Sequence, residues 1–271
     1  MERELKGNGQ NMSRIIAIVN QKGGVGKTTT AVNLASSLAT QKKNVLLIDL
    51  DPQGNAGSGF GTMPETHEKT IYHALGQKAK LADITRETQI PGLDLIPSNI
   101  QLAGAEVELV GTMSRETHLK RLLQGADKKY DYIFIDCPPS MGLLTINALT
   151  AADGVLVPLQ CEYYALEGLS HLLETIKLVQ ASLNPKLKME GLVLTLFDSR
   201  NKICHQVVAE AHKHFPKEVY KSVILRNVRL SEAPSHGMPA VIYDPRSKGA
   251  KAYGALAKEM IRQHTKGVAK K

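Results

Sequence analysis

The stretch QKGGVGKTTT, residues 21–30, joins an apolar run, RIIAIVN (14–20), to a segment of helical spacing, GKTTTAVNLASSLATQ (26–41). Strand, glycine-rich turn and helix in that order form the context a phosphate-binding loop requires. Glycines let backbone N–H groups curl around phosphate oxygens, and the start of the helix adds a favourable field. In such a loop Gly23, Gly24, Val25 and Gly26 form the cradle and Lys27 neutralises β- and γ-phosphate charge. The Thr28 hydroxyl ligates Mg²⁺, and Thr29 donates to the α-phosphate. The common spacing G-x-x-x-x-G-K-[ST] fails here, because Gln21 stands at its first glycine. The sequence reads K-G-G-V-G-K-T instead, with a second lysine, Lys22, ahead of the glycines.

Outward from this loop, short runs apolar at nearly every position alternate with helical patterns. NVLLID (44–49), YDYIFID (130–136), GVLVPL (154–159), MEGLVLTLF (189–197) and EVYKSVIL (218–225) read as further strands. Unbroken apolar runs indicate strands covered on both faces, as in a parallel sheet. Helical spacing recurs over 142–152, 166–180 and 203–215. The segment 61–125 predicts helices around 68–75 and 115–124 and a short strand, LDLIPS, over 93–98. The expected fold class is α/β: a doubly wound, mainly parallel twisted sheet with helices on both faces, of the P-loop NTPase type. Its ligand site lies at the carboxyl ends of the strands. The pattern predicts one domain over 14–265, a disordered N-terminal tail over 1–13 and a basic tail over 266–271.

Three aspartates fall where a phosphate site needs acids. Asp49 and Asp51 close one strand in LLIDLDPQGN (46–55), and Asp136 closes another in YIFIDCPPS (132–140). A strand-end carboxylate is suited to holding Mg²⁺, often through water. Asp at a strand end also serves as a turn or helix cap, but three around one loop point to a metal–phosphate site.

The net charge is +8, and the positive excess is confined to the last quarter of the chain. Residues 200–271 hold 15 Lys and Arg against 5 Asp and Glu, leaving the remainder at −2. Such asymmetry suggests a polyanion-facing surface, with a solvated basic face as the alternative on charge alone. With no Trp, 4 Phe and 8 Tyr, stacking platforms are few. If the polyanion is a nucleic acid, a duplex gripped through its backbone is therefore favoured over single strands. Three cysteines without C-x-x-C spacing fit a reduced compartment. The first dozen residues have no apolar core for a signal peptide. The expected localisation is cytoplasmic.

Together KGGVGKTTT, LLIDLDPQGN, FIDCPPS and RNVRLSEAPSHGMPA resemble the ParA/Soj family of chromosome-partitioning ATPases, within the deviant Walker A group that also contains MinD. The resemblance spans residues 14 to 262 or so; residues 1–12 precede the usual family start, which leaves Met12 as an alternative initiator. It implies ATP and Mg²⁺ as cofactors, with Thr28, Asp51 and Asp136 on the metal side. Lys22 is implied to reach across a nucleotide-sandwich homodimer to the other subunit's phosphates, with Gly23 packed near the same axis. A second cation beside Lys27 in one monomer would be repelled unless phosphate absorbs its charge, which suits a lysine supplied in trans. Asp51 is implied to orient the attacking water, while Asp49 corresponds to a mainly structural position. The catalytic set is then Lys22, Lys27 and Asp51. Asn227 resembles the adenine-contacting position. Arg200 and Arg229 match positions that carry nonspecific DNA binding, and Lys248 and Lys251, with Arg246, extend that patch. The implied function is an ATP-dependent switch on the nucleoid, slow in turnover until a ParB-like centromere-binding partner completes the site. A surface salt bridge is the alternative for either arginine taken singly.

Other classes fit less well. A MinD-like membrane switch needs a C-terminal amphipathic helix, and the last ten residues offer no bulky apolar face. An iron–sulfur carrier needs paired cysteines, whereas Cys137, Cys161 and Cys204 are scattered and read as small buried hydrophobes. The nine histidines form no HxxxH or HExxH pattern, so zinc is not expected.

Overall fold

Strands form where the apolar runs predict them. They are β1 (Arg14–Ile18), β2 (Val45–Asp49), β3 (Arg86–Glu87), β4 (Leu93–Ile96), β5 (Tyr132–Asp136), β6 (Gly154–Gln160) and β7 (Lys188–Thr195). The computed structural model describes residues 13–65, 68–126, 129–162 and 165–268. Residues 1–12 of the expected N-terminal tail, with Met12, and the last three residues lie outside them; Ser13, placed in that tail, is buried. The strands make one sheet in the order β3-β4-β2-β5-β1-β6-β7. Every pairing is parallel except the short edge strand β3, which runs antiparallel to β4.

The sheet divides the core in two, because successive side chains of a strand point to opposite faces. On one face Ala17, Val19, Ile133 and Ile135 pack with Leu144 and Ala148 of the helix Leu143–Ala151 and with Leu169 and Leu172 of the helix Ala165–Ser182. On the other, Ile16, Ile18, Leu47 and Phe134 meet Leu34 and Leu38 of the helix Lys27–Ala39. A last helix, Lys248–Val268, lays Tyr253, Leu256, Ala257 and Met260 over the same core. Among the described residues no helix is long and apolar enough to cross a membrane.

Two strands depart from expectation, and the last helix, which the sequence reading did not place, runs three residues into the expected basic tail 266–271. The predicted strand 218–225 forms no ladder: isolated bridges link Val219 to Leu192 of β7 and Leu225 to Phe197 beyond its end, and the Ile224 N–H reaches the Leu194 carbonyl. Around Lys221 and Ser222 the chain leaves the sheet. The N–H groups of Lys221 and Ser222 are claimed by the Glu259 carboxylate at 2.8 and 2.9 Å, so they are lost to β7. The edge strand β3 had no counterpart in the sequence reading; two residues carry no period.

Candidate nucleotide site

The sheet order brings β2, β5, β1 and β6 side by side, so their carboxyl ends converge on one crevice. The loop after β1 is pinned at three points. Asn20 donates from Nδ2 to the Pro158 carbonyl at 2.8 Å and accepts from the Lys22 N–H at 3.0 Å. At the far end of the loop, Thr195 Oγ1 donates to the Val25 carbonyl at 2.8 Å. Gly24 and Gly26 have φ of 73° and 87°, the left-handed region that favours glycine. Gly26 stands at the start of the helix Lys27–Ala39 with no side-chain cap, which leaves the first-turn N–H groups open to an anion.

Lys27 is buried, and its Nζ donates to the Lys22 carbonyl at 3.0 Å. Burial lowers its pKa, while the nearby Asp136 and Asp51 carboxylates oppose that shift. The three strand-end acids separate by environment. Asp49 accepts from the Asp51 N–H with one oxygen, and with the other from the N–H groups of Ala56 and Gly57 at 2.9 and 3.2 Å. Full burial pushes its carboxyl up to about 7 against those donors. Its work is to fold the turn that follows β2. Asp51 accepts from the Gln53 N–H at 3.0 Å with one oxygen, and among the described residues none donates to the other.

Asp136 pairs in register with Asp49 on the neighbouring strand and is fully buried. Neither of its oxygens has a hydrogen-bond partner. Burial, then the Asp49 charge, raises its pKa well above the ordinary carboxylate value. The Thr28 side chain lies near enough to favour the charged form without closing a hydrogen bond. A buried carboxylate without a donor is costly, and a cation or its water shell relieves that cost. Among the described residues no cluster of three His, Cys, Asp or Glu side chains forms a ready cage. That suits Mg²⁺, which takes one or two protein oxygens and fills the rest of its shell with phosphate and water. Thr28 and Asp136 thus fit the group expected of them.

Beside Gly26 and Thr29 opens a cavity of about 460 Å³, lined also by Asn227, Leu230, Pro234 and Tyr253. Asn227 lies on its wall and has a local duty: its side chain accepts from the Arg229 N–H at 3.0 Å and caps the helix Val228–Glu232. Tyr253 shares a buried hydroxyl contact of 3.1 Å with Thr30, tying the last helix to the phosphate-loop helix. The loop after Asp51 meets the loop after the Arg229 helix at Gly61 and Gly237, with φ of 69° and 63°. A Cβ on Gly237 would stand 2.8 Å from Gly61 Cα. Lys22 reaches the end of β6, where its ammonium pairs with Glu162, a residue the sequence reading did not single out.

An AAA-domain family model matches residues 13–189. The chain is 59% identical to the sporulation initiation inhibitor protein Soj of Bacillus subtilis, over 92% of this chain and 98% of that protein. It is 55% identical to the chromosome partitioning protein ParA of Myxococcus xanthus, over 94% of this chain and 90% of the relative. The chain belongs to the ParA/Soj family. Among solved structures, cobyrinic acid a,c-diamide synthase from Mycobacterium smegmatis with bound ADP and magnesium superposes with a TM-score of 0.83 at 38% identity, over 94% of this chain and 97% of that one. The P-loop sheet expected from the sequence is the fold observed.

For a ParA/Soj chain the basic residues are of equal interest. Arg200 is exposed, and its guanidinium forks onto Asp198 at 3.0 and 2.7 Å, holding that carboxyl far below the usual range. Arg229 pairs with Glu232 at 2.8 Å and with Asp244 at 3.4 Å. Lys248 and Lys251 are exposed in the first turn of the last helix. Both arginines therefore carry the salt bridges that were their alternative reading, while remaining at the surface. Arg226, beside Asp198, adds a cation that the sequence reading passed over. The three cysteines are buried and unpaired.

Proposed function

We propose that this protein is a Mg²⁺-dependent ATPase working as a dimeric switch, which binds duplex DNA nonspecifically when loaded with ATP. On this reading it drives chromosome or plasmid segregation with a ParB-like centromere-binding partner. The observation that carries the proposal is the fully buried Asp136 carboxylate, without a donor, beside Lys27 and Thr28 at the mouth of a glycine cradle. When bound, ATP with Mg²⁺ would supply the phosphoanhydride and a cation that offsets its charge. Lys27 holds β/γ charge, and Thr28 and Asp136 hold the metal, with Asp51 contributing on that side. Asp51 also has a free oxygen with which to orient water. Asn227 and the cavity beside it receive the base. Catalysis of this kind is chiefly positioning and charge neutralisation, so turnover stays slow while the site lacks a partner's groups.

Gly23 supports the dimer. A Cβ built on it meets nothing within 4 Å, and its φ is not in the left-handed region. Nothing within one protomer demands glycine there, whereas a facing protomer would. Lys22 of each subunit then serves the other's phosphates. Two protomers together double the number of DNA phosphates contacted by Arg200, Arg229, Lys248 and Lys251, which turns weak attachment into firm attachment.

The test is DNA retention across a salt series with ATP, ADP and no nucleotide. Wild type should gain affinity only with ATP. Lys22→Ala should lose that gain, and Asp51→Ala should keep it without decay. Equal retention in all three nucleotide states overturns the switch.

A further inference from the structure

Lys22 is fastened at both ends to one short stretch of chain. Its ammonium meets Glu162 Oε2 at 2.5 Å, and Glu162 Oε1 accepts a hydrogen bond from Gln160. Its backbone N–H goes to Asn20, which in turn grips the Pro158 carbonyl. The end of β6, from Pro158 to Glu162, therefore sets both where Lys22 starts and where its charge rests. The two side chains are 46% and 47% exposed, so the pair sits in a wet, high-dielectric setting.

We propose that Glu162 is a positioning residue that holds the Lys22 ammonium within its own protomer until a triphosphate in a facing protomer displaces it. This rests on the dimer reading above and adds to it the means by which Lys22 discriminates. Carboxylate and phosphate oxygens are competing acceptors for one ammonium, and charge-assisted contacts to either are of similar kind. A lysine with no local counter-ion would engage any phosphate presented to it, including that of a diphosphate. With Glu162 in place, any incoming phosphate must first displace the carboxylate, and that cost is the same for ATP and ADP. The contact therefore raises the threshold for both, which leaves the more highly charged triphosphate above it and the diphosphate below it. The exposure of the pair bounds the effect. An exposed ion pair shifts an equilibrium by roughly two- to fivefold, enough to move a threshold and too little to lock the lysine.

Glu162→Gln preserves size and surface exposure while removing the charge. Dimer fraction is followed by light scattering on the full chain, titrated with ATP, with a nonhydrolysable ATP analogue and with ADP. The expected result is a half-maximal ATP concentration lower by roughly two- to fivefold, with ADP-dependent dimer becoming detectable. Glu162→Asp should restore part of the discrimination. Glu162→Gln should leave the melting temperature of the nucleotide-free protein unchanged, which a merely structural role would not produce. An unchanged or raised threshold in Glu162→Gln overturns the proposal. If Lys22→Ala dimerises like wild type, the dimer reading itself falls and the proposal with it. If Lys22→Ala abolishes dimers while Glu162→Gln is silent, the role of Glu162 alone is refuted.

Discussion

Replacing glycine by alanine at two positions of the last helix should change stability in opposite directions. A Cβ on Gly249 would lie 2.6 Å from Leu230 Cγ and 3.0 Å from both Leu230 Cδ atoms. Leu230 is buried in the core shared by Tyr253 and Leu256, so it has little room to retreat. A Cβ on Gly254 meets nothing within 4 Å. In mid-helix, alanine is favoured over glycine by about 1 kcal/mol, less so in the first turn. Overpacking a core contact costs about 1–3 kcal/mol. Gly254→Ala should therefore stabilise by about 0.5–1 kcal/mol. Gly249→Ala, a first-turn position, should destabilise by about 0.5–2 kcal/mol. For a chain of this size that separates the two melting temperatures by roughly 3–8 °C. Urea unfolding followed by circular dichroism, without nucleotide, measures both. Because Leu230 also lines the cavity beside the phosphate loop, Gly249→Ala should weaken binding of a fluorescent ATP analogue, and Gly254→Ala should not. If both variants shift stability the same way, the packing argument is wrong.

Two other perturbations probe buried charge. Asp136→Asn removes a carboxylate that no protein donor satisfies, so the nucleotide-free protein should gain about 1 kcal/mol. The same variant should lose the thermal shift produced by MgATP, and a lower melting temperature without nucleotide would contradict this account. Glu190 is buried beneath the last helix, where His264 Nε2 approaches at 2.6 Å, Tyr220 donates at 3.1 Å and Arg14 lies at 3.6 Å. Burial alone would raise its pKa, but these partners outweigh it and the net shift is downward. Its contribution is therefore complete above the ordinary carboxylate range and fades as acid protonates the folded form. Glu190→Gln should cost about 1–3 kcal/mol at neutral pH, with the gap to wild type narrowing below about pH 4. Denaturation curves at neutral and acidic pH would show a constant gap if this assignment is mistaken.

The parallel sheet and the phosphate loop were legible because their signals are local. Runs such as VLLID and YIFID are apolar throughout, and the glycines sit between a strand and a helix. What escaped was decided at a distance. The stretch 218–225 has as good a strand pattern as any, and is broken by a glutamate 37 and 38 residues further on. The last helix was hard to see because small residues fill many of its packing positions: Ala250 and Ala257 share its buried face with Tyr253, Leu256 and Met260. Their spacing is right, but their apolar bulk is slight. Glu162 could not be found at all, since nothing marks an exposed glutamate 140 residues from its lysine. The acids beside the two surface arginines were within reach. Asp198 is two residues from Arg200, and Glu232 is three from Arg229 on one helix, the spacing at which opposite charges meet.

The meeting of Gly61 with Gly237 has a mechanical consequence. Main chain rests directly on main chain, so no rotamer change can widen or close the joint by degrees. The strip of backbone downstream of Asp51 and the one downstream of Arg229 must travel as a pair or come apart altogether. Alterations elsewhere along either strip leave the joint whole, whereas a side chain at Gly237 acts as a wedge between the two loops.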